Sequence, residues 1–167
     1  GLAGKAGKLV ARMQMRKDPT KPSTLLDKLA FGSFNKAIPN AQTKFDWLSR
    51  DGREVNKYIA DPFCGIVCSS GFFFDLFTGL ELIHKPELID RIPKNIPLLV
   101  VSGEADPVGK NGAGIRQFVG QLKTRGITNI TMKLYPNARH ELLNETNRAE
   151  VMDDLKNWLQ NQLPGSK

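Results

Sequence analysis

Two residues of this chain have both the type and the setting for proton-transfer chemistry. Asp106 lies at the end of Leu98-Leu-Val-Val-Ser-Gly-Glu-Ala-Asp-Pro107, an apolar run that empties into a polar corner. His140 follows a second such run, Leu134-Tyr-Pro-Asn-Ala-Arg-His140-Glu141. A carboxylate can accept the Nδ1 proton of an imidazole, fix its tautomer and stabilise the imidazolium. Nε2 is then free to take a proton from an attacking hydroxyl and pass it to a leaving group. The stretch from 106 to 140 is long enough for one helix, one strand and two loops. The two side chains can therefore meet at the carboxyl edge of a sheet, where open α/β sheets bind their ligands. Glu104 competes for the acid role, but an Asp before Pro has the shorter, better fixed side chain. Taken singly, Asp106 is an ordinary turn former and His140 an ordinary loop residue; the joint placement is what raises them. His84, before Lys85-Pro86, is expected to face solvent.

An acid followed by a histidine is the order of the last two members of a triad that runs Ser, Asp, His along the chain. The first member would be a Ser in Gly-x-Ser-x-Gly, which occurs nowhere in the 167 residues. Val67-Cys-Ser69-Ser-Gly71 comes nearest and has the right chain order. A nucleophile elbow is a strained strand-to-helix turn, however, and needs a small residue where Val67 stands. Cys64 and Cys68 have no base or cation nearby to make a thiolate. With no second cysteine pair they do not make a zinc site, and they read as reduced core thiols. Gly1-Leu-Ala-Gly4-Lys-Ala-Gly7-Lys8 has one residue too many for a phosphate loop, and Leu9 stands where Ser or Thr would hold magnesium. No metal or organic cofactor is implied.

The elements that must carry these residues change character along the chain. Residues 4–17 form an amphipathic helix with Ala6, Leu9, Val10 and Met13 on its apolar stripe, ended by Asp18-Pro19. Ser23 or Thr24 caps a short helix to about Phe31, and 32–43 reads as loop. Phe45–Ser49 begins a helical turn, and Asp51 or Gly52 starts a helix that stops at Asp61-Pro62. Gly71 to His84 is helical, with Phe73, Leu76, Phe77, Leu80 and Ile83 on one face. Phe72-Phe73-Phe74 reads first as core. If this segment covers a hydrolytic site, Phe72 and Phe73 would line an acyl-chain pocket.

From residue 94 the pattern is β-α-β-α. Ile96–Ser102 is a continuous apolar strand of the kind buried on both faces. Ala113–Arg125 is a helix ended by Gly126, Asn129–Tyr135 a second strand, and Glu145–Leu163 a last helix bearing Val151, Leu155, Trp158 and Leu159. Short joins in this order imply parallel strands packed by helices. Two parallel strands need neighbours for their unpaired backbone groups, so further strands are expected to come from elsewhere.

Charge narrows the partners. The net +7 lies almost wholly in residues 1–36, where eight Lys and Arg side chains face only Asp18 and Asp27. Such a segment is either a solvated face or a surface for transient contact with anionic membrane. Nucleic acid is not expected, because aromatic interleaving and a binding motif are missing. No run approaches a membrane span, and no charged start followed by an apolar block marks a signal peptide. A cytoplasmic location is expected.

Five segments carry a specific resemblance: Leu25-Leu-Asp-Lys-Leu-Ala-Phe-Gly-Ser-Phe-Asn35, Phe45-Asp-Trp-Leu-Ser-Arg50, Tyr58-Ile-Ala-Asp-Pro-Phe-Cys64, Ser102-Gly-Glu-Ala-Asp-Pro-Val108 and Tyr135-Pro-Asn-Ala-Arg-His-Glu-Leu-Leu-Asn-Glu-Thr146. Together they resemble a bacterial group of α/β-hydrolases similar to monoacylglycerol lipases and lysophospholipases. The resemblance implies a partial α/β-hydrolase fold, with a helical cap over 1–93 and the C-terminal part of the core over 94–167. It makes Asp106 the triad acid and His140 the base of a serine carboxylic ester hydrolase acting on a lipid-like ester. The N-terminal half of that family, with its oxyanion loop and nucleophile, has no counterpart among these residues. It would have to come from a missing segment or a partner chain. The rival expectation is a non-catalytic module that completes a partner's sheet.

Overall fold

The computed structural model describes residues 2–163; Gly1 of the phosphate-loop comparison and residues 164–167 lie outside it. Its first part is a set of helices: α1 (Leu2–Met15), α2 (Thr24–Phe31), α3 (Gly52–Ala60), α4 (Ser70–Ile83) and the single turn α5 (Pro86–Ile89). Two caps predicted from sequence are in place: the Ser23 hydroxyl accepts from Leu26 N and Asp51 from Arg53 N. Ser69 caps α4 in the same way, accepting from Phe72 N, a role not expected from sequence. Each satisfies an N–H that the first helical turn leaves without a partner. Phe34–Ala37, expected as loop, closes into a 3-10 turn. Residues 45–49 form turns rather than a helix.

α1 and α4 pack around Ala11, Leu26 and Phe73, all wholly buried. α1 begins and ends two residues before the 4–17 span expected from sequence, and its buried stripe is rotated. Gly7 and Ala11 face inward, whereas Leu9 and Met13 are about 60% exposed. The reason is the partner: the Phe77 ring lies so close that a Cβ at Gly7 would meet it at 3.0 Å. Only the small face of α1 admits that approach. Leu80 and Ile83 of α4 are likewise exposed. Phe73→Ala is therefore expected to lower stability by about 3 kcal/mol or more, while Leu9→Ala changes it by less than about 0.5 kcal/mol. Denaturant midpoints of the two variants check this, and equal effects would contradict the rotated packing.

The second part is β1 (Leu98–Gly103), α6 (Ala113–Thr124), β2 (Ile130–Tyr135) and α7 (Arg148–Gln160). β1 and β2 are parallel, in register from Leu98 opposite Ile130 to Gly103 opposite Tyr135. Side chains alternate between the faces of a sheet, so Leu98 and Ile130 share one face, and Val101 and Tyr135 the other. Leu122 of α6 covers the first face together with Ile89 and Ile127. Val151 and Leu155 of α7 cover the second. The architecture is a partial α/β-hydrolase fold, two parallel strands between helices.

Two details depart from expectation. Most of β1 is half-buried rather than enclosed, because only one strand lies beside it among the described residues. The last helix starts at Arg148, not Glu145; residues 142–144 make a 3-10 turn, and Glu145 turns inward. No helix among the described residues is long and apolar enough to cross a membrane.

Candidate active site

Parallel register puts the carboxyl ends of β1 and β2 side by side. The ladder continues past both strands, with Glu104 N donating to Tyr135 O at 2.9 Å and Ala105 N to Ala138 O at 2.9 Å. The two loops thus run together, bringing Asp106 from one beside His140 from the other. Gly103 permits this approach. A Cβ there would run into the carbonyl oxygens of Ala138 and Arg139, so the position accepts only a residue without one. Asn137, at φ +60°, supplies the left-handed step that turns the β2 loop toward β1.

His140 Nδ1 donates to Asp106 Oδ2 at 3.1 Å. The Asp106 side chain is almost fully buried, and the His140 ring keeps 39% of its surface exposed. The other carboxylate oxygen of Asp106 accepts from Val108 N at 2.9 Å, and its carbonyl accepts from Asn111 N at 2.9 Å. The corner after it winds through three successive left-handed residues, Lys110, Asn111 and Gly112. The hydrogen bond from His140 to Asp106 raises the imidazole pKa above its ordinary 6.5, against the opposing effect of burial. This is the proton affinity expected of a base that holds an imidazolium next to a carboxylate.

Trp47 forms one wall of the site. Its ring centroid lies 5.1 Å from that of His140, and its carbonyl accepts from His140 N at 3.4 Å. Trp47 also lines a cleft of ≈ 420 Å³ with Phe31, Phe45, Tyr58, Phe63 and Ile66. Phe45 and Tyr58 meet edge to face at 4.9 Å there, and Tyr58 Oη accepts from Gly65 N. Asp27 and Lys44 also line the cleft, and a mainly apolar cleft with a few polar groups has the makeup of a small-molecule site.

The other residues named from sequence fall elsewhere. Phe73 is wholly buried in the α1–α4 core and has no surface for a ligand; Phe72 is half exposed beside it. Ser69 caps α4, and its hydroxyl oxygen is occupied by Phe72 N. Glu104 is exposed and faces Arg116. His84 is exposed, its Nδ1 donating to Leu80 O. Cys64 and Cys68 are free half-buried thiols, and burial pushes both pKa values up, the wrong direction for a thiolate nucleophile.

Sequence reading missed the cleft and Glu145. The cleft aromatics are spread from 31 to 63, with no common period to reveal that they converge. Glu145 is fully buried and accepts from Arg139 N at 2.7 Å, Arg50 N at 3.1 Å, Arg50 Nε at 2.8 Å and Thr146 N at 3.0 Å. Burial alone would raise its pKa, but these donors hold it below the usual carboxylate value. The one sequence signal was an acid six residues after an arginine, which does not stand out.

Comparisons with known proteins agree with this architecture. The profile of the family described as serine aminopeptidase, S33, matches residues 5–147. A monoacylglycerol lipase of Mycolicibacterium smegmatis is 28% identical over 149 residues, covering 87% of this chain and 50% of that protein. A highly thermostable carboxyl esterase from Bacillus coagulans, solved in complex with glycerol, matches with a TM-score of 0.85 at 23% identity; the match covers 95% of this chain and 52% of that one. A lipase in its open form gives a TM-score of 0.78 at 25% identity, over 91% of this chain and 50% of that one. The chain therefore spans about half the length of the relatives it matches. With the family match running through both the helical part and the strand ends that carry Asp106 and His140, the chain belongs to the serine aminopeptidase S33 family and holds part of its α/β-hydrolase fold.

Proposed function

We propose that this chain supplies the acid and base of a serine carboxylic ester hydrolase, of the monoacylglycerol lipase or lysophospholipase kind. The observation that carries the reading is the 3.1 Å bond between His140 Nδ1 and the buried Asp106 at the carboxyl ends of the strands. In this reading Asp106 fixes the imidazole tautomer. His140 Nε2 takes the proton of a serine hydroxyl as the oxygen attacks the ester carbonyl, then gives it to the departing alcohol. Water repeats the cycle on the acyl-enzyme. The serine and the oxyanion donors come from the part of the relatives' length that this chain does not span. β1 and β2 each keep one edge without a strand neighbour among the described residues, where the rest of the sheet would join.

Residues 1–93 act as the cap and 94–167 as the C-terminal core. The aromatic cleft beside Trp47 takes the acyl chain, the role expected from sequence for Phe72 and Phe73. The basic first thirty-six residues provide transient contact with an anionic membrane surface, and the protein works in the cytoplasm.

The full-length protein is expected to be labelled by a fluorophosphonate and to hydrolyse p-nitrophenyl esters. Its kcat/KM should rise by about fourfold per added methylene until the cleft is full, at about 0.8 kcal/mol for each buried CH2. Absent labelling would sink the serine mechanism. A flat chain-length profile would remove the acyl role of the cleft.

A further inference from the structure

We infer that Glu145 is a positioning residue for His140, clamping the two segments that hold the imidazole against Asp106. Its Oε1 accepts from Arg139 N, the residue before His140, and from Arg50 N, at the end of the turn that carries Trp47. Its Oε2 accepts from Arg50 Nε and Thr146 N. One buried carboxylate thus joins the backbone of the β2 loop to the backbone of residues 47–50. The same two segments are joined by Glu141 N to Leu48 O at 2.8 Å, and by Arg139 Nη1 to the carbonyls of Asp46 and Ser49 at 2.6 and 3.0 Å. Glu145 is the only one of these acceptors that is charged and wholly enclosed.

Enclosure makes the clamp stiff. The four N–H donors around Glu145 have no other acceptor within bonding range, and leaving buried donors unpaired is costly. The loop therefore cannot drift from the turn without losing several charge-assisted bonds at once. His140 lies between the clamped residue 139 and the bond from Glu141 to Leu48, with Trp47 against its ring. Its position relative to Asp106 is set from outside the pair. Asp106 and Glu141 are the charged groups that act on the imidazole; Glu145 acts on it through the backbone alone.

The inference rests on His140 being the base, and the test separates the two. In the full-length protein, the ring signals of His140 are assigned by their loss in His140→Gln and titrated by NMR. Glu145→Gln keeps the size of the side chain but turns an amide N–H toward two N–H donors. It is expected to bring the His140 midpoint down toward 6.5 as the bond to Asp106 loosens. It should also lower kcat on a p-nitrophenyl ester by about tenfold to a hundredfold, the cost of a displacement near 1 Å, with KM changed by less than about twofold. Leu122→Ala, in the separate cluster with Ile89 and Ile127, should lower Tm and leave both readouts alone. A Glu145→Gln midpoint equal to wild type, or a kcat loss no greater than that of Leu122→Ala, overturns the inference. If Glu145→Gln does not fold, Arg50→Met removes one donor and should move the midpoint the same way by a smaller amount; an unmoved midpoint there overturns it equally. A wild-type protein without ester hydrolysis refutes the base assignment, and the NMR titration still decides the positioning.

Discussion

His140→Gln in the full-length protein is expected to abolish ester hydrolysis, and Asp106→Asn to lower kcat by about 10⁴-fold with little effect on KM. The two losses have different origins. Glutamine cannot carry the proton from attacking hydroxyl to leaving alcohol, so the step itself is lost. Asparagine leaves the imidazole in place but turns an amide N–H toward Nδ1, which favours the tautomer with its proton on Nε2, where the base must be bare. The pH profile tells them apart from simple misfolding. Wild-type His140 titrates above 6.5 because Asp106 holds its proton, and only the neutral ring works as a base, so activity should appear as pH rises through that elevated value. Asp106→Asn should move this limb of its residual activity to lower pH. Stability runs the opposite way. A histidine whose folded pKa is raised contributes fully below 6.5, and that contribution disappears as pH rises through the folded value. With 39% of the ring exposed, solvent keeps this contribution small. An unmoved limb in Asp106→Asn would show that the bond to Asp106 does not govern the base.

Gly103→Ala is the second large effect. One methyl group placed there meets the carbonyl oxygens of Ala138 and Arg139, which are backbone and cannot rotate away. The strand ends must separate, breaking the bond from Ala105 N to Ala138 O and pulling His140 from Asp106. The expected cost is about 4–5 kcal/mol of stability, at the top of the range for single substitutions, together with loss of hydrolysis. Thermal melts and esterase assays of the same preparation check both. A stable Gly103→Ala protein with full activity would mean that the β2 loop does not need this approach.

Much of this fold could be read from local signals. The caps at Ser23 and Asp51, the break at Asp18-Pro19 and the β-α-β-α order all follow from chemistry within a few residues. The Asp106–His140 pair was legible because both follow apolar runs, and parallel register then brings the run ends together. What sequence could not supply depends on distant partners. Which face of α1 is buried was decided by the Phe77 ring, which no pattern within residues 2–15 contains. Glu145 looked like the first turn of a helix because Arg50, far along the chain, is what draws it inward. The aromatic cleft is assembled from three separate segments, none of which carries an aromatic run like Phe72–Phe74.

The left-handed winding at Lys110, Asn111 and Gly112 has an evolutionary consequence. The corner after Asp106 is closed by backbone bonds, Lys110 N to Pro107 O, Asn111 N to Asp106 O and Gly114 N to Gly109 O, rather than by packed side chains. Its shape thus depends on residue count, and on residues at 110–112 that accept a positive φ. Side chains along 107–111 can change without disturbing the acid only where they keep the positive φ at Lys110 and Asn111 and leave the space beside Gly109, where a Cβ would stand 3.6 Å from Asp106 Oδ2. A single insertion or deletion there would rotate the carboxylate out of line, so variation in loop length should concentrate in other connections of the chain.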